Sequence, residues 1–202
     1  MKDRYFLALG VLVVSLFLFG CATTAELPSN AHIVEGSKGW RFLDKVDFSY
    51  TASKPYDFAA LQLCVAQNVS NQGYTLTGDA STWRGPATST YYRNDRQQHV
   101  VGSTNIFKFV DERNATLVAV GTTSSTQGGL MPATDIIRYE LVVKLEGNHI
   151  GLVFSNITRA WENTGAASND GFEPVGVWQG TRADNVYRGL EAIAQHIRAC
   201  AP

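Results

Sequence analysis

The chain has 202 residues, 17 Lys and Arg against 18 Asp and Glu, and a formal net charge of −1. This balance argues against a nucleic-acid partner, which calls for a concentrated basic face. Charged residues make up 17% of the chain, below the roughly 25% of an average globular protein, and Ser, Thr, Asn and Gly fill the difference, as is common in exported β-rich proteins.

Lys2 and Arg4 precede an apolar run from Phe6 to Phe19, broken only by Gly10 and Ser15. Charged start followed by apolar stretch is the order of a secretory leader. The run falls short of the roughly 20 residues a helix needs to cross a bilayer, which disfavours a permanent transmembrane anchor. It ends in Leu18-Phe19-Gly20-Cys21, which resembles the lipobox of bacterial lipoproteins. The resemblance implies that residues 1–20 are a cleaved signal peptide. It also implies that Cys21 becomes the first mature residue, its thiol carrying a diacylglyceryl group and its amino terminus an acyl chain such as palmitate. Ala22, in place of Asp, implies sorting to the outer membrane, with the protein facing the periplasm. An ordinary cleaved leader, with Cys21 there by chance, is the alternative. A single acyl chain holds a protein only marginally, whereas the three chains implied here give a lasting anchor to the membrane.

Residues 21–36 read as the lipidated terminus and a tether, mixing small and polar residues without clear period. Residues 37–202 then read as a single domain. Trp40, Phe42, Val46, Phe48 and Tyr50 suggest a strand with one buried face. Phe58, Leu61, Val65 and Val69 recur at helical spacing, and Asn71-Gln72-Gly73 ends that helix. Tyr74 to Thr77 suggest a short strand. Residues 78–99 lack a clean period and read as a loop, with a strand near Ser89–Arg93.

Four longer strands follow. Val100–Val110 and Ala115–Ser124 flank one turn, and Ile136–Leu145 and Ile150–Trp161 flank another, both hairpin signals. Ile137, Tyr139, Leu141, Val143 and Leu145 line one face of the third, with Arg138, Glu140 and Lys144 on the other, as in an antiparallel sheet covered on one side. After an irregular stretch from Glu162 to Gly180, Thr181 and Asp184 suggest a capping box. The last helix follows, with Val186, Leu190, Ile193, Ile197 and Cys200 on one face. The expectation is a two-layer α+β domain: five to six antiparallel strands with two amphipathic helices on one face, in the order β-α-β-β-β-β-β-α. That order is similar to helix-grip-like modules of envelope lipoproteins.

With Cys21 lipidated, Cys64 and Cys200 remain, an even pair suggesting a disulfide in an oxidising compartment. Two buried free thiols are the alternative. No nucleophile elbow, zinc-ligand spacing or phosphate loop occurs, so no catalytic residue, metal or cofactor is assigned. His32, His99, His149 and His196 are scattered. Trp161, Asp170, Phe172 and Trp178 mark a candidate binding loop, because long loops in compact domains often carry function. Trp83, Tyr91 and Tyr92 extend the same surface if the fold brings them near. The alternative is that Phe172 and Trp178 fold back to close the sheet.

Taken together, the chain reads as a membrane-anchored, non-enzymatic binding or scaffold module with a protein or glycan partner. A hydrolase of an envelope polymer, working through dispersed carboxylates such as Asp79, Asp170 or Glu173, is one alternative. A structural subunit of an envelope assembly is another.

Overall fold

A computed structural model describes residues 26–54, 56–84, 86, 89–128 and 133–200. The leader, Cys21 and the start of the expected tether lie outside these residues. The fold is α+β, built on an antiparallel sheet and two helices. The strands are β1 (Ala31–Glu35), β2 (Arg41–Thr51), β3 (Tyr74–Arg84), β4 (Tyr91–Val100), β5 (Phe107–Asp111), β6 (Thr116–Gln127), β7 (Ala133–Glu146), β8 (His149–Trp161) and β9 (Glu173–Pro174). The helices are α1 (Phe58–Asn68) and α2 (Ala183–Cys200). The main sheet runs β1-β2-β8-β7-β6-β5, β9 adds to β8, and β3 pairs with β4 as a separate ribbon.

The helical spacing in the sequence becomes the main core. Leu61 and Val65 of α1, and Val186, Leu190, Ile193 and Ile197 of α2, meet Leu117, Ile137, Leu141, Val143 and Phe154 of the sheet. Burying each such side chain contributes about 1.5–3 kcal/mol. Cys64 and Cys200 form a disulfide between the two helices, with Cα atoms 5.7 Å apart. Asp57 caps α1, its carboxylate accepting from the Ala59 amide at 3.2 Å. The expected capping box at α2 does not form. Arg182 sits in the left-handed region (φ 58°), and the Thr181 hydroxyl turns back to donate to the Trp178 carbonyl at 2.7 Å.

Several expectations change. Residues 31–35 are not part of a tether: they form β1, hydrogen-bonded along β2, so the sheet begins before residue 37. The single buried face expected for β2 breaks near Asp44, where the register passes from Ile33↔Leu43 to His32↔Lys45. One extra residue flips the side-chain alternation. Leu43 and Val46 therefore both enter the core, and Trp40 and Phe42 leave it. The strand expected over Val100–Val110 divides, Val100 ending β4 and Phe107 opening β5.

Most of the loop expected over residues 78–99 is strand. Residues 78–84 belong to β3 and 91–99 to β4, the latter close to the strand expected near Ser89–Arg93, and the two form a long ribbon with a bulge between Gly78 and Ser81. Most of this arm is exposed on both faces, so no apolar period marks it in the sequence. Its base crosses to the sheet face opposite the helices, where Leu76 packs with Ile136 and Ala160, supported by Tyr74, Val100 and Phe172. That face is therefore covered at one end rather than open throughout.

Candidate functional site: the cleft between the arm and the 162–172 segment

The stretch from Glu162 to Gly180 is tied down along most of its length. Its first half hydrogen-bonds to the bulged part of β3. The Thr77 amide donates to the Glu162 carbonyl at 2.8 Å, Thr164 N–H to Thr77 at 3.1 Å, Asp79 N–H to Ala167 at 2.9 Å, and Ala80 N–H to Gly165 at 2.9 Å. The Asn169 side-chain amide clamps the two elements, donating to the Thr77 carbonyl at 3.0 Å and the Trp161 carbonyl at 2.8 Å. Gly78 permits this approach: a Cβ there would lie 2.4 Å from Thr164 Oγ1 and 2.9 Å from the Ala167 carbonyl. Next to it Asp79 adopts φ 54°, a backbone strain that marks the bulge, and accepts a hydrogen bond from Ser168 Oγ at 2.8 Å.

The second half re-enters the sheet. β9 pairs with Thr158 and Arg159 of β8, while the Leu43 amide donates to the Val175 carbonyl at 2.9 Å and the Val177 amide to the Arg41 carbonyl at 2.9 Å. Residues 173–177 are thus wedged between β2 and β8, with Val175 and Val177 buried in the main core. Strand-like insertion satisfies backbone groups that a buried loop would leave unpaired.

Where arm and segment meet, a polar cleft of about 390 Å³ opens, lined by Leu76, Gly78, Asp79, Arg96, Gln97, Gln98, Asn169 and Asp170. A smaller recess of about 230 Å³ adjoins it across Asn169 and Asp170 and reaches Trp161 and Glu173. The lining is amide, carboxylate and guanidinium, groups that pair with hydroxyls and amides of a ligand.

Of the four residues singled out in the loop, only Asp170 faces the main cleft. Trp161 is 38% exposed, borders the recess, and lies over the Arg182 guanidinium at 4.2 Å. Phe172 packs beneath the arm with Arg138 stacked 4.1 Å above its ring. Trp178 folds onto Gly176, a Cβ at which would lie 2.2 Å from its ring, and lies tilted against Trp40 with ring centroids 4.7 Å apart. Phe172 and Trp178 are thus half-buried against different elements, Phe172 under the arm and Trp178 beside Trp40 and Phe42. Of the three dispersed carboxylates, Asp79 and Asp170 share the cleft, while Glu173 pairs with Arg159 at 3.1 Å.

Beneath Trp161 lies an ionic cluster. Asp135, fully buried, accepts from Arg159 at 3.1 Å and Arg182 at 2.7 Å. Burial pushes the Asp135 carboxyl above its ordinary value, opposed by Arg182 and then Arg159, and burial lowers Arg182, opposed by Asp135. This cluster pins the ends of β7, β8 and α2 together behind the cleft.

Sequence reasoning missed Arg96, Gln97, Gln98 and Asn169. They lie on strand residues or a loop with no catalytic spacing, and only the pairing of arm and segment gathers them. Among the described residues, no group of three or more His, Cys, Asp or Glu could hold a metal ion. Among them too, no helix is long and apolar enough to cross a membrane.

No protein-family model matches the chain, and no curated protein does. A crystal structure of a DUF4468 family protein from Bacteroides ovatus is similar at a TM-score of 0.38 and 12% identity, covering 86% of this chain and 85% of that one.

Proposed function

We propose that this chain is an envelope lipoprotein, anchored in the outer membrane through acylated Cys21, whose domain is a non-enzymatic binding module facing the periplasm. The observation that carries the binding role is the polar cleft, with Arg96, Gln98, Asn169 and Asp170 converging on a space held open by a hydrogen-bonded frame. Prearranged polar groups lose little freedom on binding, which favours a hydroxyl- and amide-rich partner such as a glycan strand or a protein loop. The anchor rests on the leader and lipobox resemblance in the sequence.

The shared position of Asp79 and Asp170 favours a second reading, a hydrolase of an envelope polymer, since carboxylate pairs do such work when they flank a scissile bond. One experiment separates the two. Soluble peptidoglycan fragments are added to isotope-labelled domain and followed by NMR. The expected outcome is shifts at Gly78, Gln97, Gln98 and Gly171 with the fragments left intact. New reducing ends, formed by the wild type and abolished by Asp170→Asn, would move the assignment to the hydrolase. No shift in the cleft with any fragment would remove the glycan reading.

A further inference from the structure

The outward face of the arm carries a separate arrangement. The register sets Arg84 opposite Tyr91 and Thr82 opposite Arg93. Residues directly opposed in an antiparallel ribbon project from one face, so these four share it. The same face continues along β4 through Asp95, Gln97 and His99, of which Gln97 also borders the cleft, whereas Arg96 and Gln98 project from the other. Tyr91 is 71% exposed, and the Arg84 guanidinium lies 6.0 Å from its ring centroid. Arg84 and Arg93 form no ion pair among the described residues. Ser81, Thr82, Arg84 and residues 91–94 are all exposed. A two-stranded ribbon is marginal by itself, so little in this domain explains so long a projection.

The chemistry narrows the occupant. Protein interfaces are built around an apolar, desolvated centre, and this face offers none: beside Tyr91 it carries Thr, Arg, Asp, Gln and His. A flat aromatic ring between two arginines suits a pyranose bearing a carboxylate. The C–H face of the sugar stacks on the ring, and the guanidinium fork takes the carboxylate.

We infer that Arg84, Tyr91 and Arg93 form a binding face for a carboxylated glycan. The inference rests on reading the domain as a binding module, and its site is distinct from the cleft. The test uses purified domain with fluorescent oligogalacturonate as probe, and dextran and poly-glutamate as comparators. Oligogalacturonate is expected to bind and dextran not to. Tyr91→Ala, which leaves the charge unchanged, is expected to weaken oligogalacturonate about tenfold, the loss of one stacking contact of about 1.4 kcal/mol. Arg84→Gln with Arg93→Gln is expected to remove binding, while Asp170→Ala leaves it intact.

Equal binding of poly-glutamate, with Tyr91→Ala silent on both polymers, would overturn the glycan in favour of an acidic peptide. Loss of oligogalacturonate binding in Asp170→Ala, with the fold retained, would place the polymer in the cleft and overturn this site while leaving the binding module standing. Failure of the wild type to bind oligogalacturonate overturns the site outright, and the cleft titration with peptidoglycan fragments then decides the broader reading independently.

Discussion

At the residue scale, single side chains hold the cleft in shape. Gly78 lets the loop come within hydrogen-bonding reach of β3, and Asn169 locks the two together. Behind them, Asp135 depends on two arginines. A buried ion pair broken on one side costs about 3–5 kcal/mol, because a charge is left uncompensated in a poorly hydrated site. Arg159→Met is therefore expected to lower the unfolding free energy by about 3–5 kcal/mol, read from urea denaturation.

The sign of its pH dependence follows from Asp135. Its carboxyl is already held above its ordinary value by burial, and losing one cation raises it further. A carboxyl raised in the folded state favours the protonated form. The penalty in Arg159→Met should thus be smallest below the ordinary carboxylate range and reach full size once pH rises through the folded value. A penalty that grows as pH falls would contradict this account.

At the element scale, the disulfide and the inserted β9 segment do different work. The disulfide joins α1 to α2 across a sequence separation of 136 residues, constraining the unfolded chain. Replacing both cysteines, Cys64→Ala with Cys200→Ala, is expected to reduce stability by about 2–5 kcal/mol while leaving the NMR fingerprint of the cleft in place. Measurement of the urea midpoint under oxidising conditions checks the first part, and spectral comparison checks the second. The cleft should survive because it is framed by β3, β4 and the 162–172 segment, none of which carries a bridged cysteine.

At the scale of the whole molecule, β1 closes one edge of the main sheet against β2. It begins at Ala31, opposite Val46 in the middle of β2, and runs to Glu35 opposite Arg41. That end of the sheet carries Trp161, the arm and the cleft. Just before Ala31 the chain turns, the Ala31 amide donating to the Pro28 carbonyl at 2.9 Å and the Asn30 side chain to the Asp47 carbonyl at 2.8 Å. Mass spectrometry of the mature protein is expected to find a lipidated Cys21 at the amino terminus, and Cys21→Ser to release the domain into the aqueous phase. A mature terminus starting elsewhere, or one without lipid, would undo the anchor.

The amino-acid sequence by itself determined the elements whose side chains alternate between core and water. The α1 and α2 stripes, the alternation of β7 and the cysteine pair were legible because each follows from local period or from counting. The resemblance of Leu18–Cys21 to a lipobox rests on the sequence alone. Tertiary structure alone decided the rest. The arm has no buried face along most of its length, so no period announces its strands. The bulges near Asp44 and at Gly78–Ser81 shift side-chain parity by one residue, which spacing cannot foresee. Residues 173–177 bridge β2 and β8, through the short β9 and the Val175 and Val177 backbone, because those strands pair only over Val46–Thr51 and leave backbone groups to satisfy. The cleft exists because those long-range hydrogen bonds bring Arg96 and Gln98 against Asn169 and Asp170, residues that lie far apart along the chain.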